Sequence, residues 1–396
     1  MNHSEMVKSF ISTRRISISS LRSSSVCANN TSMHARVLLT FIVALLMGAL
    51  IHPWGTGSYT HYVPRQAVQT HTAAATAATV IPTPPTEKLR ATAPPQNTEE
   101  STTVLVEEAM YATPPFSFET VNTQARSALV NILCTATGND LNPVSGSGVI
   151  IDGKGIVLTN AHIGQYILLQ DSSPIAMECF VRTGSPAKTQ WKPRLLYISE
   201  TWLAQHAKDI RIARPTGTGE YDFALIALEP IDTPLSLPLP YIEPDTRDGV
   251  ILTEEKALAA SYPAGFAGAI TIYNDLSLIS TIATIKRLYT FSDQTIDLLS
   301  LGGVIVAQQG SSGGALVNAW GKLVGLIVTS SDAKTTAERD LRALTLAHID
   351  RILIQETGSN LSYHLTSDPR TGSALYREAK GRMLAALLTT AVLQGL

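Results

Sequence analysis

The chain has little charge and little cysteine. Charged residues make up only 16% of its 396 residues, where about 25% is usual for soluble globular proteins, so part of the chain is not ordinary globular surface. The net charge of −2 lacks the basic excess that binding to phosphates requires and argues against nucleic acid as a partner. Three cysteines, none in a CxxC pair, exclude a disulfide-rich miniprotein and give no sign of a structural zinc site. The apolar share of 44% is enough for a sizeable core and excludes disorder throughout.

An uncharged apolar run lies near the N-terminus, from Val37 to Ile51, and is followed by Pro53 and Trp54. It is shorter than the roughly 20 residues that a helix needs to cross a bilayer core, so it fits a signal-peptide core or a short anchor; a buried globular helix is the other alternative. Basic residues precede the run and none follows before Arg65, which predicts a cytoplasmic N-terminus and export of the rest to the cell envelope. Because no A-x-A cleavage site follows directly, the sequence favours an uncleaved transmembrane signal anchor over residues 37–54.

The segments on either side of this run show no apolar periodicity. Residues 1–36 are predicted to be a cytoplasmic segment, largely untranslated if translation begins at Met33. Residues 55–115 contain eight of the 21 prolines together with runs of threonine and alanine. This composition cannot build a core and predicts a stiff, extended, disordered linker.

Periodic structure begins near Phe116. The spacing of apolar residues predicts a helix over Phe118–Ala128, and short β runs follow from Leu129 onward. A second group of runs follows Pro244 and includes AITIYN and GGVIVAQ. Two groups of short strands with glycine-rich turns predict two β-barrels or one large sandwich, and the run IDRILIQE closes the pattern with a short helix.

The strongest chemical signal is the run Gly310–Gly314, GSSGG, between two predicted strands. Its glycines allow a tight turn that leaves a serine hydroxyl exposed beside backbone N–H groups. Acyl transfer requires this arrangement of a nucleophile next to an oxyanion hole. A flexible turn without chemistry is the alternative.

Two further signals precede this serine run. His162 follows the predicted strand GIVLT, where a strand end can hold a general base in place. Asp222 comes directly before the run FALIAL, where a carboxylate can orient an imidazole. An ordinary core or surface histidine and a turn aspartate are the alternatives. The three signals occur in the order His, Asp, Ser, the first two in the first strand group and the serine in the second.

Together these segments resemble the chymotrypsin-fold serine proteases, and more closely the HtrA/Deg-like trypsin-like proteases of bacteria. The likeness spans about residues 117–358 and is carried by four segments: SGSGVIIDGKGIVLTNAH (Ser145–His162), YDFALIAL (Tyr221–Leu228), YPAGF (Tyr262–Phe266) and QGSSGGALVNAWGKLVGL (Gln309–Leu326). It implies an all-β protease domain over residues 116–358, built from two six-stranded antiparallel β-barrels and a C-terminal helix.

The resemblance also implies roles for individual residues. Ser312 is the expected nucleophile, His162 the general base and Asp222 the orienting carboxylate, while the backbone N–H groups of Gly310 and Ser312 form the oxyanion hole. The implied reaction is hydrolysis of peptide bonds in protein or peptide substrates through an acyl-enzyme, without metal or cofactor. An inactive protease fold that binds peptides or acts as a scaffold is the alternative.

Two departures from the family pattern carry expectations of their own. Position 311 is serine, where zymogen-type trypsins have an aspartate that pairs with a newly cut N-terminus, so activation by that ion pair is not expected. HtrA proteins usually carry a PDZ domain after the protease, and the residues that follow Ser312 here are too few for one once the barrel is completed. Regulation by a PDZ domain is therefore not expected.

The expected substrate pocket contains no charge. Its walls, residues 303–308 and 328–331, are expected to include Val306, Val328, Thr329 and Ser330. We therefore predict a preference for a small or medium apolar side chain over arginine or lysine before the cleaved bond.

Two features outside the triad complete the predictions. Cys134 and Cys179 both lie on the exported side, where oxidation is permitted, and form either a disulfide or two buried thiols. Residues 359–396 end in the apolar run MLAALLTTAVLQGL, which predicts a helix too short to span a membrane comfortably. It is expected to pack against the protease domain or a second copy in a homo-oligomer, or else to lie on the membrane surface.

Overall fold

The computed structural model describes residues 60–61, 115–136, 141–172, 174–212, 217–232, 234–265, 267–291, 294–330 and 339–394. The predicted N-terminal segment 1–36, the anchor 37–54 and most of the linker 55–115 lie outside these ranges. The described residues belong to one compact unit, Gly57–Leu396. Within these ranges, no helix combines the length and the apolar character that a bilayer crossing demands.

Six antiparallel strands of the first group close into a barrel. The strands are β2 (Leu129–Ala136), β3 (Val144–Asp152), β4 (Ile156–Thr159), β5 (Met177–Thr183), β6 (Lys188–Ile198) and β7 (Ala224–Pro230). Their hydrogen-bonded order is β2-β3-β4-β7-β6-β5, and β5 pairs back with β2. A continuous apolar cluster that includes Ile132, Leu158 and Phe223 fills the barrel and extends to buried residues of the second group of strands. The first predicted six-stranded barrel is thus present.

The second group forms an eight-stranded sheet that curls without closing. Its strands are β1 (Thr60–His61), β8 (Lys256–Ser261), β9 (Ile279–Thr284), β10 (Arg287–Thr290), β11 (Leu298–Gly302), β12 (Ala315–Val317), β13 (Leu323–Ser330) and β14 (Leu341–Thr345). The order is β1-β10-β11-β14-β13-β12-β8-β9, and a separate apolar cluster that includes Leu288, Leu299 and Leu316 lies against this sheet.

A closed second barrel is therefore the part of the predicted fold that is wrong. The strands β9 and β10 are joined by Ile285 and Lys286 alone, which allow at most about 11 Å between the two strand ends, so the sheet must curl until its edges approach. At this corner the Ile285 N–H donates to the Glu255 carbonyl at 2.9 Å and the Lys286 N–H donates to the Ser300 carbonyl at 2.7 Å. Ile285 thus bonds to the residue before β8, whereas Lys286 bonds to β11. The described sheet therefore stays open between β9 and β10 and forms a curled half-barrel.

The described helices pack around the two sheets. They are α1 (Phe118–Ala128), α2 (Ala161–Ser172), α3 (Glu200–His206), α4 (Ala269–Asn274), α5 (Leu346–Thr357), α6 (Leu361–Thr366), α7 (Pro369–Tyr376) and α8 (Arg382–Gln394), with a 3₁₀ turn at Ala207–Arg211 and a π turn at Arg377–Gly381. The predicted helices at Phe118–Ala128, in IDRILIQE and in the apolar tail are all present. The described residues after β14 are helical or in short turns.

Two predicted strands are not strands. The run AITIYN forms α4, none of whose residues is buried; the neighbouring strand β8 is already paired on both sides, with β9 and β12. The run GGVIVAQ forms tight turns, in which the Ala307 N–H donates to the Val304 carbonyl at 2.8 Å and the Gln308 N–H donates to the Val306 carbonyl at 2.9 Å. A short apolar run alone does not indicate whether an unpaired strand edge is available for it to join.

The helix α2 was not predicted, because its sequence is apolar on nearly all sides. All but a few of its residues are buried, among them Ile163, Ile167 and Leu168. Such a helix shows no amphipathic pattern, since it is covered on every face. It directly follows β4 and begins one residue before His162.

The tail helix α8 packs on the first barrel, beside α2 and the 3₁₀ turn. Leu384, Leu388 and Val392 are buried there, while Met383 and Leu387 remain exposed. The structure therefore shows the first of the predicted roles for the tail, which is packing against the domain.

The structure also contains the Cys134–Cys179 disulfide, between residues 45 positions apart. The two cysteines are direct partners in the register of β2 and β5, with their Cα atoms 4.0 Å apart. Of the two alternatives left open by the sequence, the bridge is the one present. It closes a loop that contains β3, β4 and α2.

Candidate active site

His162 lies in the first turn of α2, directly after β4. Its ring Nδ1 is 2.7 Å from Asp222 Oδ2, and its backbone N–H donates to Asp222 Oδ1 at 2.9 Å. The side chain of Asp222 is 8% exposed and that of His162 is 23% exposed. One carboxylate therefore fixes both the ring and the main chain of His162, and the N-terminal end of the helix stabilises its negative charge.

Asp222 ends a turn and lies two residues before β7. Its N–H donates to the Gly219 carbonyl at 3.0 Å, and Asn160 Nδ2 donates to the Asp222 carbonyl at 2.8 Å. Asn160 is the residue that separates β4 from α2. The motif Thr159–His162 thus supplies both the histidine and a side chain that anchors the aspartate.

The loop around Ser312 depends on two glycines in the left-handed region, Gly310 with φ +87° and Gly313 with φ +84°. A Cβ on Gly313 would lie 2.0 Å from the Ser147 carbonyl oxygen, and one on Gly310 would lie 2.7 Å from the Tyr262 carbonyl oxygen. Both contacts are with backbone, which cannot give way cheaply. The sequence requirement for glycine on both sides of Ser311-Ser312 is therefore steric as well as conformational.

Ser147 in β3 connects this loop to the first barrel. Its N–H donates to the Ser312 carbonyl at 2.7 Å, and its hydroxyl donates to the Gly310 carbonyl at 2.7 Å while accepting from the Tyr262 N–H at 2.9 Å. Its own carbonyl accepts from Thr159 Oγ1 at 2.7 Å. Since Thr159 lies three residues before His162, these bonds bring the serine loop of one half next to the histidine of the other.

Sequence reasoning did not single out Ser147 as a functional residue. It lies within the SGSG run at the start of Ser145–His162, so the available signal was a small polar residue between two glycines inside a predicted strand. Its fully buried position and its bonds to both halves appear only in the folded chain.

Two backbone N–H donors near Ser312 have no acceptor within the described part of the chain. Ser311, Gly313 and Gly314 all donate their N–H groups within the protein. The N–H groups of Gly310 and Ser312, in contrast, find no hydrogen-bond acceptor among the described residues. Buried or partly buried N–H groups are rarely left without a partner, and these two are the predicted oxyanion-hole donors.

The reactive atoms themselves are also without protein partners. In the described part of the chain, neither Ser312 Oγ nor His162 Nε2 makes a hydrogen bond. Contacts between nucleophile and base are often long before substrate binds. Ser312 is half-buried, so its hydroxyl lies at the surface of the cleft.

The neighbouring residue Ser311 is buried. Ser261 Oγ donates to Ser311 Oγ at 3.1 Å, and both residues are almost completely enclosed. A neutral hydroxyl pair therefore occupies the place where zymogen-type trypsins have an ion pair.

Of the four predicted pocket residues, two are buried in apolar clusters and two lie at the end of a strand. Val306 is fully buried within the second apolar cluster, and Val328 is 3% exposed within the first. Thr329 and Ser330 end β13. Arg339, which the sequence did not indicate, donates from Nη1 to the Ala307 carbonyl at 3.0 Å and brings a cation to the wall segment.

Two tyrosines beside the site remain neutral at ordinary pH. Burial raises the pKa of Tyr262 to about 12, and its hydroxyl donates to the Gly184 carbonyl at 2.9 Å. Burial, together with the charge of Glu220, raises the pKa of Tyr221 to about 12. Neither phenol competes with His162 as a base near neutral pH.

Comparison with known proteins gives one family match and a similar solved structure. Residues 146–326 match the family model of the trypsin-like peptidase domain. Among solved structures, the Rv3671c protease from M. tuberculosis in its active form is similar, with a TM-score of 0.40 and 16% sequence identity over 63% of this chain and 92% of that chain. No curated protein shows significant sequence similarity to the chain. The matched region contains His162, Asp222 and Ser312, so residues 146–326 match a trypsin-like peptidase domain, and their strands belong to the closed barrel and to the curled half-barrel.

Proposed function

We propose that the protein is a serine endopeptidase in which Ser312 is the nucleophile, His162 the general base and Asp222 the orienting carboxylate. The observation that carries the proposal is the double contact of Asp222 with the ring and the backbone of His162. An aspartate and a histidine in this arrangement, together with a serine between two glycines that have positive φ, form the constellation of covalent acyl transfer.

The proposed first step is attack of Ser312 Oγ on the carbonyl carbon of a peptide bond. The hydroxyl proton moves to His162 Nε2, and Asp222 stabilises the imidazolium that forms. The carbonyl oxygen becomes negative and accepts hydrogen bonds from the N–H groups of Gly310 and Ser312. When the C–N bond breaks, His162 gives the proton to the leaving amine and an acyl-enzyme remains.

In the second step a water molecule attacks the acyl carbon and transfers a proton to His162. The bond to Ser312 Oγ then breaks, His162 returns the proton to the serine, and the carboxylic acid product leaves. Every proton in the cycle passes through His162 Nε2, so no cofactor takes part in the proposed reaction. The substrates are proteins or peptides.

The location, the mode of activation, the side-chain preference and the oligomeric state of the enzyme are proposals as well. The HtrA/Deg-like resemblance, the neutral pair Ser261–Ser311 and the apolar run Val37–Ile51 support a membrane-tethered enzyme that acts outside the cytoplasm and does not require zymogen cleavage. The uncharged wall segments 303–308 and 328–331 support a preference for a small or medium apolar side chain over a basic one. A homo-oligomer is compatible with the exposed face of α8.

The decisive experiment is labelling with a serine-directed fluorophosphonate probe. We expect the wild type to be labelled and Ser312→Ala to be unlabelled while remaining folded. Ser277→Ala is the matched control, because this exposed serine bonds only to its own turn, and it should be labelled like the wild type. A folded wild type that takes up no probe, with or without peptide, would instead support the inactive scaffold.

A further inference from the structure

A buried polar cluster outside the site connects the C-terminal helix to the turn that carries Asp222. His348 in α5 is 4% exposed. Its Nε2 is 2.8 Å from the carbonyl oxygen of Glu220, and its Nδ1 is 3.2 Å from Asp297 Oδ1. A carbonyl and a carboxylate are both acceptors, so each ring nitrogen of His348 faces an acceptor.

The contact at Glu220 lies inside the turn that ends at Asp222. The Asp222 N–H closes this turn on the Gly219 carbonyl at 3.0 Å, and the Phe223 N–H donates to the Tyr221 carbonyl at 2.9 Å. The peptide that follows Glu220 is therefore the middle of the turn, and its carbonyl is the group that His348 binds. Moving this peptide would move the backbone of Asp222.

The other side of His348 is fixed by the second sheet. Asp297, 1% exposed, also accepts from Arg351 Nη2 at 2.5 Å and from the Phe291 N–H at 2.6 Å. Burial by itself raises the pKa of Asp297, but the hydrogen bond and charge of His348, with further bonds from Phe291 and Thr295, outweigh it and hold that pKa well below its ordinary value.

The groups that face His348 come from several elements. They are the Asp297 carboxylate, the Arg351 guanidinium through that carboxylate, the side chain of Glu220 and the Phe291 ring, whose centroid is 5.1 Å away. The pKa of Glu220 is raised by burial. His348 thus connects this cluster to the main chain next to Asp222.

We infer that His348 is a positioning residue, which holds the Gly219–Asp222 turn so that Asp222 keeps its double contact with His162. The inference rests on the proposed function. A role in stability alone does not require the contact at Glu220, because Arg351 already neutralises Asp297, and a buried ionic group need not add stability. What the contact adds is a fixed position for the peptide two residues before Asp222.

The two ring nitrogens can be tested separately. Gln places its amide at the position of Nε2, facing Glu220, whereas Asn places its amide at the position of Nδ1, facing Asp297. We expect His348→Gln to keep the position of Asp222 and His348→Asn to lose it. If His348→Asn does not fold, His348→Ser provides the same comparison.

The first readout does not need activity. In full-length protein that carries Ser312→Ala, NMR follows the ring titration of His162 and the downfield Nδ1 proton bonded to Asp222, identified by its loss in Asp222→Asn. We expect His348→Asn to lower the titration midpoint and weaken this resonance, because a displaced Asp222 stabilises the imidazolium less. His348→Gln should stay close to the parent. Equal behaviour of the two variants, whether both change or neither does, overturns the inference.

Thr345→Val is the matched control. Thr345 caps α5 through the His348 N–H at 3.1 Å and donates to the Ile296 carbonyl at 2.8 Å, so the variant weakens the same helix without touching Glu220. It should unfold at lower temperature with an unchanged His162 titration. A shift as large as that of His348→Asn would mean that any loosening of α5 produces the effect, and would overturn the inference.

The second readout is peptide hydrolysis by the otherwise wild-type chain. We expect His348→Asn to lower kcat about 10- to 100-fold with little change in KM, since a small displacement of a catalytic group costs that much. The acidic limb of kcat/KM should move to lower pH in step with the NMR titration. Failure of the peptidase proposal would appear as an inactive wild type, whereas the NMR comparison would still decide the role of His348.

Discussion

At the scale of single residues, the candidate site depends on glycines, which lack a Cβ, as much as on its polar side chains. Gly313 has no room for a Cβ, because Ser147 and Thr159 approach it from the first barrel. That close approach places the Ser312 loop against β3 and β4, the strands that precede His162. The glycines of GSSGG therefore do more than allow a turn, as they permit the two halves to touch.

We predict that Gly313→Ala abolishes fluorophosphonate labelling of Ser312. The added Cβ would lie 2.0 Å from the Ser147 carbonyl oxygen, so the loop must move away from the first barrel. Gly358→Ala is the matched control, because Gly358 has a similar φ of +76° but nothing within 4 Å of an added Cβ. It should lose only about 1–2 kcal/mol of unfolding free energy and keep full labelling. Equal labelling of both variants would contradict the steric argument.

At the scale of elements, α2 couples the site to the tail of the chain. His162 lies at the start of α2, and α8 covers this helix with Leu384, Leu388 and Val392. The tail thus packs against the helix that carries His162, the proposed general base. The tail sequence alone predicts a helix and its apolar character, but not which neighbour it contacts.

We predict that Leu388→Ala lowers the free energy of unfolding by about 2–4 kcal/mol, because Leu388 is fully buried and its removal leaves a cavity. Leu387→Ala is the adjacent control. Leu387 is 45% exposed, so its truncation should change the free energy by no more than about 0.5 kcal/mol. Chemical denaturation followed by circular dichroism measures both, and a larger loss for Leu387→Ala would contradict the observed orientation of α8.

At the scale of the whole molecule, the cluster around Asp297 joins the second sheet, α5 and the first half. Asp297 contacts the strand ends of β10 and β11 as well as His348 and Arg351. The His348–Glu220 contact spans 128 positions in sequence. The relative placement of the two halves is therefore tied to the charge of this carboxylate.

We predict that acid weakens the fold through Asp297. Its pKa lies well below the ordinary value in the folded chain, so its ionised form favours folding. This contribution is complete above the ordinary aspartate pKa of about 3.9 and decreases as pH falls from there toward the folded-state pKa. Urea unfolding between about pH 6 and pH 3 should show a smaller loss of stability in Asp297→Asn than in the wild type. Identical slopes for the two proteins would contradict the prediction.

Much of the site followed from local sequence. Local residues determine where strands end and where glycine turns form, and the same holds for the immediate surroundings of His162, Asp222 and Ser312. The linear sequence therefore shows these patterns. Alternating apolar runs indicated most strands for the same reason, and the pairing of Cys134 with Cys179 was one of two open alternatives. These features need no knowledge of distant partners.

The tertiary structure decided what depends on partners far apart in the chain. Long-range neighbours decide three features: whether AITIYN can pair with a strand edge, whether the second sheet closes, and which surface α8 covers. The sequence does not indicate these neighbours. The bonds of Ser147 to Ser312 and of His348 to Glu220 belong to this class. The low charge indicated that part of the chain is not ordinary globular surface, and the motifs around His162, Asp222 and Ser312 predicted one peptidase domain, because composition and short motifs can be read from the linear sequence. The bonds of Asp222 to His162 and of Ser147 to the Ser312 loop were decided only by folding, because they join residues far apart in the chain.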